Sequence, residues 1–412
     1  TTPADIDRAE NRDQFARLCD RLKIRQAEHR IAHGLDDAKV LALEIGYPVM
    51  VRPSFVLGGR AMTVAFDERE LEESIAKAIE AMPNQPILLD NFLDDAIEVD
   101  VDAISDGDAV LICGVMQHIE AAGVHSGDSS CVLPSPLLSK KQDQDLRTIT
   151  RALATELKIL GPLNVQYAIH DDIIYVLEAN PRCARTVPFA AKACGLPFAE
   201  MTAQIMAGQK LADSNWPMDP QPAMWHVKSP VFPFIKLPGE DPVTGPEMKS
   251  TGEVMGSAHS FGSAFAKAYR ACGAKLPRSG RVFLSVNDRD KDQIAEIGRG
   301  LYQLGFDLVA TQGTGKVLKE AGLPVHLVKK VYEGEPNIVQ MIRAGEIALV
   351  INTPIGKSSH RDDRYIRWEA MRAHVACLTT LSASRALIEA IRAIKSERLE
   401  VFALQDLASW SQ

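Results

Sequence analysis

LNVQYAIHDDIIYVLEAN, residues 163–180, reads as two β-strands, Leu163–Ile169 and Ile173–Glu178, folded back around Asp171-Asp172. β-Branched and aromatic residues fill the arms, and paired aspartates at the tip suit a tight hairpin turn. In such a hairpin Gln166 falls nearly opposite Glu178, and Asn180, two residues on, shares the face of Glu178. Three oxygen donors at one strand end suit magnesium, a hard cation that takes a few protein oxygens and completes its shell with water and phosphate. By itself the Glu-x-Asn-Pro run reads more readily as a plain strand end than as a metal site.

The stretch continues as Glu178-Ala179-Asn180-Pro181-Arg182-Cys183-Ala184-Arg185-Thr186, and a second cationic run lies upstream, Arg52-Pro53-Ser54-Phe55-Val56-Leu57-Gly58-Gly59-Arg60. Guanidinium forks bind phosphate or carboxylate oxygens in pairs, and two glycines let a loop approach an anion and move as a lid. For Arg60 alone, a solvated side chain is as good a reading. Together the two runs describe a polyphosphate held between a mobile loop and a divalent metal.

Around them, Asp5–Leu43 is helical and charged, Pro48–Arg52 and Thr63–Phe66 are strands, and Glu68–Met82 is an amphipathic helix stopped by Pro83 and Pro86. Ile97–Ala103 alternates strictly, which predicts a half-buried antiparallel strand with Glu98, Asp100 and Asp102 on the outer face. On that face Glu98, ahead of Asp90, is a candidate acceptor for a ribose or an adenine amino group. Residues 123–130, rich in glycine and serine and containing His125, form a loop whose amides suit phosphates. His118 beside Glu120 tempts as an acid–base pair, but a hydrogen-bonded structural histidine is the commoner outcome, and it is given no role. Residues 139–159 are helical. Leu211–Pro246, proline-rich and aperiodic, is expected to be irregular, and a helix follows over about 260–271.

After Gly280 strands and helices alternate, which predicts a parallel sheet with ligands at the strands' carboxyl ends. Thr311-Gln312-Gly313-Thr314-Gly315-Lys316 opens a helix there and suits one phosphate or carboxylate, with Lys330 and Asn352 nearby. It equally reads as a glycine-rich turn, and it lacks the Walker A ending.

At 412 residues the chain exceeds one core, so at least two folding units are expected. With 46% apolar and 24% charged residues it has an ordinary globular composition. A net charge of −8 argues against nucleic acid or an anionic membrane as partner, and no apolar run approaches the ~20 residues of a membrane span. Seven scattered cysteines without a CxxC pair point to reduced thiols in a cytoplasmic protein. The chain opens Thr1-Thr2-Pro3, so it is expected to be a segment of a longer protein.

Taken together, the chain resembles the C-terminal half of the carbamoyl phosphate synthetase large subunit. The likeness rests on Val51–Ser54 through Gly58–Met62, Glu98–Ala103, Gly123–Ser129, Asn180–Arg182 through Arg185–Phe189, and Ser250–Gly256, and covers essentially the whole sequence. It implies an α/β and α+β multidomain protein. An ATP-grasp core with an antiparallel sheet would occupy 1–200, a connecting segment 201–272, and a parallel-sheet methylglyoxal-synthase-like allosteric domain 273–412.

The activity implied is phosphorylation of carbamate by ATP to carbamoyl phosphate, serving pyrimidine and arginine biosynthesis. The partners implied are the N-terminal half of the large subunit, a glutaminase small subunit and a small-molecule effector. By the same likeness Arg12, Arg52, Asn91, Leu93, Glu98, Gly123, Val124, His125 and Ser126 line the nucleotide. Gln166, Glu178 and Asn180 hold magnesium or manganese, and Arg185 faces the transferring phosphoryl group. Arg185, Arg52 and Asn180 are the catalytic set, and Lys291, Thr311, Thr314, Lys330 and Asn352 occupy effector positions. Asn91 stands where the family commonly has histidine or arginine, and Pro354 replaces a threonine of the effector run. A biotin carboxylase-type ligase and a catalytically silent nucleotide-binding module are the rival readings.

Overall fold

The computed structural model describes residues 1–53, 59–83, 85–120, 122–236, 241–353 and 360–407. Ser54–Gly58 of the cationic run and Pro354 therefore lie outside the described residues.

The chain begins with α1 (Pro3–Glu10) and α2 (Arg12–Leu22), each capped by a side chain, Thr2 and Asn11, that accepts a first-turn amide. Next come β1 (His29–Ala32), α3 (Leu35–Ile45), β2 (Val49–Pro53), β3 (Thr63–Ala65), α4 (Glu68–Ala81) and β4 (Ile87–Asn91). The four strands form an antiparallel sheet in the order β1-β4-β2-β3. Ala38, Ala42, Leu71 and Ile75 of its helices pack on Val49, Val51 and Leu89. Strand β1 corrects the expectation of helix throughout 5–43. Four residues at a sheet edge carry almost no periodicity of their own, and pairing with β4 decides their conformation.

The larger sheet comprises β5 (Ile97–Asp106), β6 (Val110–His118), β7 (Cys131–Leu133), then after α5 (Lys140–Glu156) β8 (Leu160–His170) and β9 (Ile173–Asn180). After α6 (Thr186–Cys194) and α7 (Phe198–Met206) come β10 (Trp225–Val231) and β11 (Gly252–Ala258). The order is β11-β10-β7-β6-β5-β8-β9, antiparallel throughout. Residues 211–246, expected to be irregular, thus contain a sheet strand. Pro230 masks it in the sequence, yet faces Glu253 of β11 in register.

One face of this sheet, with Val99, Val101 and Tyr167, packs against α2 and α5. The other, with Leu111, Cys113 and Met116, packs against α6 and α7. Strand β5 is consequently buried on both faces from Val99 onward, not half-buried, and Asp100 and Asp102 are each 1% exposed.

Helix α8 (Phe261–Ala271) leads into β12 (Gly280–Ser285), α9 (Lys291–Gln303), β13 (Phe306–Ala310), α10 (Gln312–Glu320), β14 (Val325–Leu327), α11 (Ile338–Arg343), β15 (Ile347–Asn352), α12 (His360–Arg372), β16 (Ala376–Leu378) and α13 (Leu381–Ser396). The sheet is parallel, in the order β14-β13-β12-β15-β16. Its strand order reverses between β12 and β15, whose carboxyl ends frame the crevice where such sheets bind ligands. Phe265 of α8 joins one core with Leu284, Leu301 and Leu387, so α8 is packed into the C-terminal unit. Among the described residues no helix is long and apolar enough to cross a membrane.

Candidate functional site

The β8–β9 hairpin turns at Asp171 and Asp172, with φ of 49° and 62°. A regular ladder from that turn, in which His170 pairs with Ile173, would set Gln166 against Leu177. Instead the register shifts between Gln166 and Tyr167, and Gln166 pairs with Glu178 and Asn164 with Asn180. This β-bulge brings Glu178 and Asn180 onto the face of Gln166 and Asn164. It also leaves the Leu177 carbonyl to accept a hydrogen bond from Arg12 Nη1 at 3.1 Å. Asn180 Nδ2 donates to Glu178 Oε1 at 3.0 Å, and Arg182 Nη2 donates to Asn180 Oδ1 at 3.3 Å.

Arg52, at the end of β2 in the small sheet, reaches across to this hairpin. Its Nη2 lies 3.5 Å from Glu178 Oε2 and its Nε 3.7 Å from Asp90 Oδ2. Arg12 Nη2 binds the same Asp90 at 2.7 Å, which ties α2, the small sheet and the hairpin together. Asp90 thus serves two arginines. Asn91 ends β4, paired with Val49, and Leu93 lies on the connection between the sheets, both half-buried. Arg185, just before α6, and Arg60 are exposed.

Glu98 is not an unpartnered acid. Its Oε1 accepts the Gly123 amide at 3.0 Å, and its Oε2 faces His118 Nδ1 at 3.1 Å. The other ring nitrogen of His118 faces Asp100 Oδ2 at 2.8 Å, so the histidine is partnered by Glu98 and Asp100, while Glu120 accepts the Ser130 amide. Asn164 Nδ2 bridges Asp100 at 3.2 Å and Asp102 at 2.8 Å. The acidic face predicted for β5 exists, but it is turned inward and met by a histidine and an amide.

The 123–130 loop, expected to offer amides to phosphates, spends most of them internally. Those of Gly123, His125, Gly127, Asp128, Ser129 and Ser130 all donate within the protein. Burial, with the Arg185 charge contributing, lowers the His125 pKa against the pull of Asp128 and Glu178. Its Nδ1 accepts from the Gly127 amide at 3.0 Å, which requires the unprotonated nitrogen there.

Segment 241–250, which the sequence marked only as the end of an irregular stretch and the start of the Ser250–Gly256 likeness, packs on this loop. The Gly245 carbonyl accepts the His125 amide at 2.8 Å, and the Asp128 carboxylate accepts the amides of Lys249 at 2.8 Å and Ser250 at 2.9 Å. At Gly59, with φ of 71°, a Cβ would sit 1.9 Å from the Pro246 carbonyl oxygen, so only glycine fits.

At the other end of the molecule Thr311 Oγ1 donates to Ser285 Oγ at 3.3 Å, and Asn352 Nδ2 donates to the Ser285 carbonyl at 3.1 Å. Thr314 Oγ1 accepts the Val286 amide at 3.1 Å. Lys291 Nζ lies 3.3 Å from the place a Cβ would take on Gly313, and Lys330 Nζ is 3.6 Å from Asp363. Four of the five predicted residues thus meet where β12, β13 and β15 end, while Lys330 faces α12.

The family model for the carbamoyl-phosphate synthase L chain, ATP binding domain, matches residues 11–214, and that for an MGS-like domain matches residues 293–379. The chain is 46% identical over 420 residues to the carbamoyl phosphate synthase large chain, C-terminal section, of Methanocaldococcus jannaschii, covering 99% of this chain and 68% of that one. The chain belongs to the carbamoyl phosphate synthase large chain family. It is also 49% identical over 407 residues to the carbamoyl phosphate synthase large chain of Archaeoglobus fulgidus, covering 98% of this chain but only 38% of that relative.

Among solved structures it is similar to a biotin carboxylase–β-γ-ATP complex from Campylobacter jejuni, with a TM-score of 0.53 and 17% identity over 64% of this chain and 66% of that one. The MgADP-bound biotin carboxylase domain of Hydrogenobacter thermophilus 2-oxoglutarate carboxylase gives 0.52 and 18%, over 64% and 65%. At that identity the likeness is one of fold, the ATP-grasp architecture. In this carbamoyl phosphate synthase family chain the ATP-binding match ends at residue 214, whereas the sheet runs on through β10 and β11 to Ala258.

Proposed function

We propose that this chain is the carbamate-phosphorylating half of a carbamoyl phosphate synthase. Residues 1–200 would form most of the ATP-grasp region, 201–272 a connecting segment that lends β10 and β11 to its sheet and α8 to the C-terminal core, and 273–412 an effector-binding domain. The observation that carries the reading is the bulged hairpin, which levels Glu178 with Gln166 and places Asn180 and Arg52 beside it.

The donor set fits a magnesium ion. It is all oxygen, it carries one carboxylate, and Asn180 turns its Nδ2 to Glu178, so its Oδ1, which accepts from Arg182, keeps a second lone pair for a cation. Gln166, Glu178 and Asn180 would hold magnesium, or manganese in its place. When bound, the metal neutralises charge on the β- and γ-phosphates.

The protein's own part is positioning and charge. Arg52 and Arg185 would stabilise the transferring phosphoryl group, with Arg12, Asn91, Leu93, Glu98, Gly123, Val124, His125 and Ser126 lining the nucleotide. A carbamate oxygen forms a bond to the γ-phosphorus as the β–γ bridging bond breaks, and ADP leaves. Carbamate is short-lived in water, which favours supply from the N-terminal half through a closed route, with ammonia coming from a glutaminase partner. Lys291, Thr311, Thr314, Lys330 and Asn352 would receive an anionic effector at the switch point.

Carbamate-dependent release of ADP is the test. Glu178→Gln removes the ligand charge at nearly constant volume and should lower turnover about a hundredfold or more with the fold retained. Turnover like that of the wild type in this variant would refute the assignment. ATP binding without any turnover in the wild type would favour a silent module.

A further inference from the structure

His118 is 4% exposed and lies deep in the sheet, with no place in the proposed chemistry. Its two ring nitrogens face two different carboxylates, Glu98 at 3.1 Å and Asp100 at 2.8 Å. Both contacts are hydrogen bonds only if both nitrogens carry protons, so the ring is an imidazolium between two anions.

The surroundings agree. From β7, Cys131 Sγ sits in the same cluster, within 4.8 Å of the donor atoms of Asp100 and His118. Lys228 of β10 acts on Asp100 by its charge, and Glu120, farther along the chain from His118, feels the charge of the ring. With both ring nitrogens turned to carboxylates, the imidazolium itself neutralises the cluster, and no lone pair is left for a metal ion. Burial alone would lower the His118 pKa, but the charge of Cys131 and hydrogen bonds to Asp100, Cys131 and Glu98 outweigh it and raise the pKa well above its ordinary value.

Glu98 is the one member that leaves the cluster. Its side chain is 15% exposed against 2% for Asp100, at the edge where Gly123 packs on Phe92. Two donors, the Gly123 amide and His118, fix its two oxygens, one each. Each oxygen of a carboxylate held this way keeps one lone pair free, so the pair can accept the two vicinal hydroxyls of a ribose.

We propose that His118 is a positioning residue for nucleotide binding, acting through Glu98 and locking that carboxylate to receive the ribose hydroxyls. The proposal rests on the reading of Glu98 as a nucleotide contact. On the far side the same ring holds Asp100, which Asn164 links to Asp102 and, at 3.5 Å, to Asn180 beside Glu178. The nucleoside side and the metal side therefore share one buried hydrogen-bonded line.

The experiment is a double-mutant cycle on MgADP affinity, by titration calorimetry on the purified chain, with His118→Gln, Glu98→Gln and the double variant. Each single change is expected to weaken binding about tenfold, and the double variant also about tenfold rather than about a hundredfold, because one residue acts through the other. The ratio of affinities for ADP and for its 2′- and 3′-deoxy analogues should collapse in all three variants. Multiplicative effects, or wild-type affinity and discrimination in His118→Gln, would overturn the proposal.

Should His118→Gln fail to fold, nitrogen resonances of the wild-type imidazole decide. A proton on Nδ1, the nitrogen that faces Glu98, supports the proposal, and an unprotonated Nδ1 overturns it. ATP formation from carbamoyl phosphate and MgADP tests the proposed function separately. Its absence with the coupling intact would sink that function and leave His118 in place, whereas a wild type that does not bind MgADP would overturn both.

Discussion

Asp102 shows what it costs to build a polar face inside a sheet. Its Oδ1 accepts from Asn164, but its buried Oδ2 has only a loose contact with the Thr186 hydroxyl, which has no other partner among the described residues. Burial, with the nearby charge of Asp100, raises its pKa from 3.8 to about 7. Between those values the folded chain keeps a proton that the unfolded chain has released, so stability falls as pH rises through this window, and the penalty is complete above it. Asp102→Asn keeps the acceptor for Asn164 and removes the ionisation. It should therefore be the more stable protein at pH 8, by about 2–4 kcal/mol, with the advantage fading toward pH 4. Urea unfolding followed by tryptophan fluorescence at both pH values checks this, and a pH-independent difference would contradict it. The strict alternation Glu98, Asp100, Asp102 was visible in the sequence, as was the shared face of these acids. That the face points inward was not, because His118 and Asn164, which make its burial tolerable, come from strands distant in sequence.

The β8–β9 hairpin shows the same division between what is local and what is not. Its turn was legible, since Asp171 and Asp172 both adopt positive φ, as a two-residue hairpin turn requires. The bulge was not, because no residue type marks it, and what holds it includes Arg12 of α2 gripping the Leu177 carbonyl. Without it Glu178 would face the helices and the oxygen cluster would not form. The turn itself carries a small excess energy. Asp172→Gly relieves the left-handed backbone at φ 62° and forfeits only the exposed 3.3 Å contact from Gln142, so a net gain of about 0.5–1 kcal/mol is expected. A fall in melting temperature would show that the Gln142 contact outweighs the backbone. In the C-terminal unit the alternating strands and helices gave the parallel sheet directly. The edge strand β1 and the proline-bearing β10 escaped, because pairing and not composition makes them strands.

Segment 241–250 joins the two ends of the molecule, touching the Gly59 turn, the His125 loop and, through Asp241, the C-terminal unit. Arg367 of α12, fully buried, donates to Asp241 at 2.9 and 2.6 Å and to Asn352 Oδ1 at 2.7 Å. One guanidinium therefore fixes both the segment and the end of β15, where the proposed effector residue Asn352 sits. The small sheet makes a second contact, with Arg289 stacked 3.9 Å from the Phe66 ring centre and 3.7 Å from Asp94. Removing one partner of a buried pair leaves the other uncompensated, a loss of about 3–5 kcal/mol. Arg367→Met should therefore release the segment without unfolding the sheet beneath it. The amides of His125, Lys249 and Ser250 all depend on the segment for their bonds. Hydrogen exchange at these amides should speed up about a hundredfold or more, with those of β8 unchanged. Unaltered protection at the three amides would mean that the segment is held from the nucleotide side alone, and loss of protection throughout β8 would mean that Arg367 supports the whole fold rather than this one connection.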